Sequence, residues 1–274
     1  MRRAFAVAFC AVCCAAAGSA RAGDLAVPAA SPEPAAVPTP GYNWYGFFIG
    51  GHLGGGWSNE AIVISPDSNY TGTFGKSAFP GTIAADPSGV VGGIQYGSNW
   101  QFQQIVLGTE SDFSFTGIDK SQRILTNITV PIANNGEQRL PWFGTTRVRA
   151  GYTVQDNVLV YGTVGLANGR AEESFSAVNT SPCHGNQPCA FASGEKTLWG
   201  WTIGAGIEYG RGPWSAKLEY LHYDLGAFTI YTVDPNPPAK HATIRVSNNF
   251  AGDIVRAGVN YRFNWTPWQL IFGN

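Results

Sequence analysis

From Trp44 onward the chain alternates apolar and polar residues in eight bursts, and this period-two repeat limits its fold more than any other feature. Each burst has roughly the ten residues that a tilted strand needs to cross a bilayer's hydrocarbon. The bursts run 44–58, 89–102, 105–115, 140–154, 158–170, 197–210, 214–225 and 250–263. In the first, Tyr45, Phe47, Ile49, Leu53 and Trp57 share one face, and Gly46, Gly50, His52, Gly54 and Gly56 share the other. The connections alternate strictly in length. Gln103–Gln104, Gln155–Asn157 and Arg211–Pro213 are tight turns, whereas 59–88, 116–139, 171–196 and 226–249 are long and rich in Gly, Pro, Asn, Ser and Thr. Short turns in the periplasm and long loops outside are the habit of outer-membrane barrels. The expectation is an all-β fold, an eight-stranded antiparallel transmembrane β-barrel over 42–263.

Composition points the same way. Charged residues make up only 13% of the chain, while glycines number 35 and aromatics reach 13%, a balance suited to a membrane barrel. After the leader, no segment has the run of about 18 apolar residues that a transmembrane helix requires, so a membrane crossing has to be made by strands. Tryptophan placement is a further test, because indoles prefer the two membrane interfaces. Trp44, Trp100 and Trp214 are expected at the periplasmic rim, and Trp57, Trp142, Trp199 and Trp201 at the outer rim. A soluble β-sandwich would instead gather its large aromatics in one core.

The N-terminus reads as an export signal. Arg2 and Arg3 precede an apolar run from Ala4 to Ala17, and the small residues Ser19-Ala-Arg-Ala22 put cleavage after Ala22. Residues 1–22 are thus a Sec signal peptide, and 23–41, with Pro28, Pro32, Pro34, Pro38 and Pro40, an extended periplasmic linker. Losing Arg2, Arg3 and Arg21 leaves 14 of the 17 basic residues against 18 acidic ones. No basic stripe invites nucleic acid. Cys183 and Cys189, the cysteines left after cleavage, read as a disulfide in an oxidising compartment, since a metal site would have only His184 nearby.

Parity also sorts the charges. With one face on lipid, Glu110, Asp112, Arg147, Arg149, Glu208, Lys217, Glu219, Arg256 and Arg262 all point inward. Counted up from the tight turns, Glu110 falls at the depth of Arg149 and Asp112 at that of Arg147. Eight strands enclose an interior only wide enough for side chains, so this network is expected to plug the lumen. No glycine fingerprint for phosphate stands between a strand and a helix. The interior carboxylates face arginines, which leaves little for catalysis, and no cofactor is expected. His222 with Asp224, near the outer rim, is the one arrangement a lipid-modifying enzyme would use. His184 and His241, in the long loops, are the candidates for haem ligation.

The run Trp44-Tyr-Gly-Phe-Phe-Ile-Gly-Gly, the run Gly92-Gly-Ile-Gln-Tyr-Gly-Ser-Asn-Trp-Gln and the segment Lys217-Leu-Glu-Tyr-Leu-His-Tyr-Asp-Leu-Gly resemble strands one, two and seven of the outer-membrane immunogenic proteins. These are porin-family small barrels similar to the OmpA transmembrane domain. Arg256, Gly258, Tyr261 and Phe263 are similar to the C-terminal signal that the barrel assembly machinery recognises, although 264–274 extends past the usual stop. The resemblance implies a non-enzymatic protein of the outer membrane, in contact with lipid and lipopolysaccharide, that supports the envelope and displays loops. The alternatives are a haemin- or ligand-binding surface receptor and a narrow porin-like passage for small solutes.

Overall fold

The computed structural model describes residues 42–58, 60–67, 79–84, 86–126, 132–179, 190–233 and 243–264. Residues 1–41, where the signal peptide and linker are expected, and residues 265–274 lie outside that set, as do Cys183, His184, Cys189 and His241.

The described residues form ten strands: β1 (Gly46–Trp57), β2 (Ala61–Pro66), β3 (Thr82–Ala84), β4 (Ser88–Phe102), β5 (Ile105–Thr126), β6 (Ile132–Gln155), β7 (Val158–Asn179), β8 (Ala190–Arg211), β9 (Trp214–Val233) and β10 (Thr243–Phe263). Eight of them, all but β2 and β3, pair antiparallel in sequence order, and β1 closes on β10 from Phe47↔Phe263 to Trp57↔Asp253. Closure removes the sheet edges that could not survive in hydrocarbon. Gln103, with φ of 56°, and Gly212, with φ of 59°, bend two of the tight turns. Among the described residues no helix is long and apolar enough to cross a membrane.

Alternation places the two faces. Leu53, Ile94, Leu107, Val148, Val164, Ile203, Leu218 and Val259 point outward, exposed, while their neighbours along each strand are buried. At the turn end Trp214 meets Tyr261, which meets Phe263, with ring centroids 5.1 Å apart in each pair, and Phe263 stacks on Phe47. At the loop end Phe113 stacks on Trp142, and Trp199 and Trp201 stand exposed. Trp44 departs from the expected rim. It is buried inside the turn-end mouth with Val106, Leu159 and Tyr161, because its amide N–H is held by Gln101 Oε1 and its ring by Tyr42 at 4.5 Å.

The expected long loops are largely strand. Six of the eight bursts continue past their expected ends, β5 to Thr126, β6 back to Ile132, β7 to Asn179, β8 back to Ala190, β9 to Val233 and β10 back to Thr243. At about 3.3 Å per residue, 20 or more residues far exceed what hydrocarbon needs. The outward face records the exit from lipid: on β7, Val160, Val164 and Leu166 give way to Arg170, Glu172 and Ser174.

Beyond that level the barrel flattens into a cap of two facing sheets. The β8–β9 ladder stops at Trp201↔Asp224, whereas β7–β8 pair up to Ala177↔Ala190 and β9–β10 up to Thr243↔Val233. On the far side the β4–β5 ladder stops at Ser88↔Asp119, and the hairpin of β2 and β3 joins the sheet through β10. One half of the cap is therefore the upper part of β5–β6–β7–β8, and the other is β9–β10–β2–β3. Ile62, Ile64, Ile83, Ile132, Phe175, Ile230, Ile244 and Val246 fill the space between them.

Candidate functional site

The lumen is filled in layers. At the turn end Tyr42 and Trp44 enter the mouth from the chain preceding β1. A Cβ on Gly210 would stand 2.2 Å from the Tyr42 ring, so the absence of a side chain there makes room for it. The guanidinium of Arg262 lies 3.8 Å from the Tyr42 ring centroid.

Above this stopper sits the charge network, built on β5, β6, β8, β9 and β10. Glu110 accepts from Arg147 Nη2 at 2.6 Å and from Lys217 Nζ at 2.5 Å, and its second oxygen lies 3.4 Å from Arg149 Nη1. Asp112 Oδ2 accepts from Arg147 and Arg256, both at 3.0 Å, and from the Thr145 hydroxyl. Glu219 accepts from Arg147 Nη1 at 2.9 Å and Arg256 Nε at 2.8 Å. Glu208 accepts from Arg149 Nη2 at 2.6 Å, Ser215 Oγ at 2.5 Å and Asn260 Nδ2 at 3.1 Å. Arg149 also lies over the Tyr161 ring at 4.0 Å. The side chains of Glu110, Asp112, Arg147, Lys217, Glu219 and Arg256 are each 0% exposed.

Two details differ from the depths counted on the sequence. Glu110 stands opposite Arg147, not Arg149, and Arg149 finds its shortest partner in Glu208, two strands away around the wall. Equal counts from two different turns are not equal heights in a barrel whose strands tilt and stagger, and a bulge at Thr153/Gln155 moves the β6 turn further. Arg262 stays out of the network: among the described residues it forms no ion pair, and its guanidinium donates only to Gly212 O. Four acids and four bases remain, each acid within 3.0 Å of a guanidinium.

Over the ions lies an apolar layer of Val91, Ile118, Leu140, Phe143, Leu198, Leu221, Tyr223, Phe250 and Ile254, and above it the cap core. His222 is on the outer wall. Its Nδ1 pairs with Asp253 at 2.9 Å, and Tyr220 donates to the same carboxylate at 2.6 Å, while Asp224 caps the Gly226 amide instead. The His222–Asp224 arrangement expected near the rim therefore does not form. The imidazole's hydrogen bond among the described residues is to Asp253 alone, with no nucleophile bonded to it. Glu173, a buried acid in the cap, was hidden from sequence reasoning inside an expected loop; the apolar spacing of Ala171, Phe175 and Ala177 around it was the available signal.

Comparison with known proteins agrees with this architecture. Residues 5–263 match the outer membrane protein beta-barrel domain. The 31 kDa outer-membrane immunogenic protein of Brucella melitensis biotype 1 is 33% identical over 251 residues, covering 89% of this chain and 94% of its own length. A 22 kDa outer membrane protein of Rhizobium leguminosarum bv. viciae is 30% identical over 186 residues, 68% of this chain and 66% of that one. Among solved structures, the outer membrane protein OprG from Pseudomonas aeruginosa superposes with a TM-score of 0.51 at 13% identity, covering 82% of this chain and 98% of its own. That last likeness is one of fold. The chain belongs to the outer-membrane β-barrel family of the immunogenic proteins, and its place is the outer membrane.

Proposed function

We propose that this barrel is a non-enzymatic envelope protein that stabilises the outer membrane and displays its cap and loops at the cell surface. The observation that carries the reading is the filled lumen. An ion or solute crossing it would have to part the buried pairs around Glu110 and Arg147, and breaking one such pair costs about 3–5 kcal/mol. The apolar layer above would then have to open as well. The same pairs argue against chemistry in the lumen, since carboxylates engaged by guanidinia are not free bases. Display is favoured by the strands that rise past the lipid and by relatives named as immunogenic proteins. The outer aromatic rim would face lipopolysaccharide. Arg256, Gly258, Tyr261 and Phe263 would be read by the assembly machinery.

Deleting the gene tests the envelope role. The strain is expected to become sensitive to detergent and to large antibiotics, with resistance restored by the wild-type chain and by a point variant lacking His222. An unchanged strain would count against the proposal.

A further inference from the structure

The cap holds a buried carboxyl group for which the described residues supply no partner. Glu173 is 2% exposed and points into the interior between Ala171 and Phe175. Neither carboxyl oxygen has a hydrogen-bond partner. Gln138 stands directly opposite on β6, also buried, and its Oε1 is unpartnered too. Across the cap on β10, both amide atoms of buried Asn248 lack partners. Directly opposed side chains are about 4.5–5.5 Å apart at Cβ, so the Gln138 amide is within hydrogen-bond reach of Glu173. No cation offsets a charge on the buried carboxyl, and an unpaired buried charge is costly, so the site accommodates the acid with its proton.

The charged neighbours do not replace that proton. Glu137 and Arg139 on β6 turn outward, where Arg139 engages Glu137 and Glu172. Glu172 on β7 and Glu195 on β8 also face outward and bind Arg170. Lys120 on β5 faces inward opposite Gln138 and is half-buried. Lys196 on β8 lies opposite Ala171. Neither lysine forms an ion pair with Glu173. From the facing half, β9 presents Phe228 and Ile230, β10 presents Val246 and Asn248, and β2 presents Ile62 and Ile64. None of these is titratable. Burial alone pushes the Glu173 carboxyl up to about 8.

The weak line of the cap runs beside this residue. Glu173 is opposite Gly194 on β8, inside the stretch where β8 has no ladder to β9. Phe228 and Ile230 close that gap by packing over Gly194, where a Cβ would lie 2.8 Å from Ile230 Cγ2. Lys196 has inward parity and is nonetheless exposed, so solvent already reaches the edge of the seam.

We infer that the two halves of the cap close over a neutral Glu173, and that loss of its proton to solvent parts them along the β8/β9 seam, uncovering the apolar cap core. The sign follows from linkage. The closed cap holds the proton more tightly than the open one, so closure is most favoured below the ordinary carboxylate range and weakens as pH rises toward 8. A single proton gives about a tenfold change in the opening equilibrium per pH unit over that window.

Amide hydrogen exchange of the full chain refolded in phospholipid vesicles tests this, with protection of 190–200 and 225–233 corrected for the intrinsic pH dependence of exchange. Wild-type protection should fall roughly tenfold per unit between about pH 5.5 and 8 and level off above, while membrane-spanning amides stay constant. Glu173→Gln, and independently Glu173→Leu, should abolish the slope. A flat wild-type profile, a slope surviving in both variants, or loss of protection throughout the barrel would overturn the inference.

Discussion

Replacing Glu110 by Gln removes the acid on which four cations converge, Arg147, Arg149, Lys217 and, at 3.7 Å, Arg256. Arg147 keeps Glu219 at 2.9 Å and Asp112 at 3.0 Å, and Arg149 keeps Glu208 at 2.6 Å. Lys217 loses its 2.5 Å partner and retains only Glu219 at 3.5 Å. Four bases then face three acids in a space that water does not reach, and an uncompensated buried charge costs about 3–5 kcal/mol. With a urea dependence of about 2 kcal/mol per molar, a loss of about 4 kcal/mol moves the unfolding midpoint by about 2 M. The assay is reversible urea unfolding from short-chain phosphatidylcholine vesicles, followed by tryptophan fluorescence. Lys217→Met alone should destabilise comparably by leaving four buried acids to three bases. The double variant E110Q/K217M restores three acids against three bases, and should recover at least about 2 kcal/mol relative to the sum of the single losses. A single variant within about 1 kcal/mol of wild type, or additive losses in the double, would refute the claim that charge balance inside the lumen governs stability.

Three further outcomes follow from the same structure. Gly210→Leu drives the Tyr42 ring from the mouth and removes its contact with Arg262, worth about 0.5–2 kcal/mol; limited proteolysis should then cut near residue 42 while the barrel stays folded. Truncation after Phe263 should still insert into the outer membrane, whereas Phe263→Ala, which removes the stack on Phe47 and the edge-on contact with Tyr261, should lower the inserted fraction several-fold. The reverse pattern would move the assembly signal into 264–274. In the cap, the pH slope of exchange protection should be carried by Glu173 alone.

The membrane-spanning part of each strand is legible in the sequence because lipid on one face and a crowded interior on the other enforce strict alternation. Legibility ends where the backbone changes phase. On β6 the inward positions run through Arg147, Thr145 and Phe143 and then switch to Leu140 and Gln138 across a bulge. On β9 they switch from Leu221, Tyr223 and Leu225 to Ile230 and Thr232 across Gly226, whose φ is 80°. An extra residue inverts parity, so a continuous strand reads as a strand followed by an irregular loop. The β2–β3 hairpin was missed for another reason: Ile62 and Ile64 alternate correctly, but six residues and three residues are too short to stand out. In the lumen, parity says which charges lie inside. Which charge meets which depends on stagger around the closed wall, and no count along one strand contains that. The isolation of Glu173 is likewise a property of the facing sheet, from residues some sixty positions away in the chain.

The central claim is that side chains seal this barrel from end to end, and single-channel recording in planar bilayers tests it most directly. Purified wild-type protein refolded in detergent is expected to insert without steady conductance steps in 1 M KCl, while E110Q/K217M, folded but with a thinned network, should remain closed beneath its intact apolar layer. Reproducible ohmic openings from the wild-type chain would contradict the account.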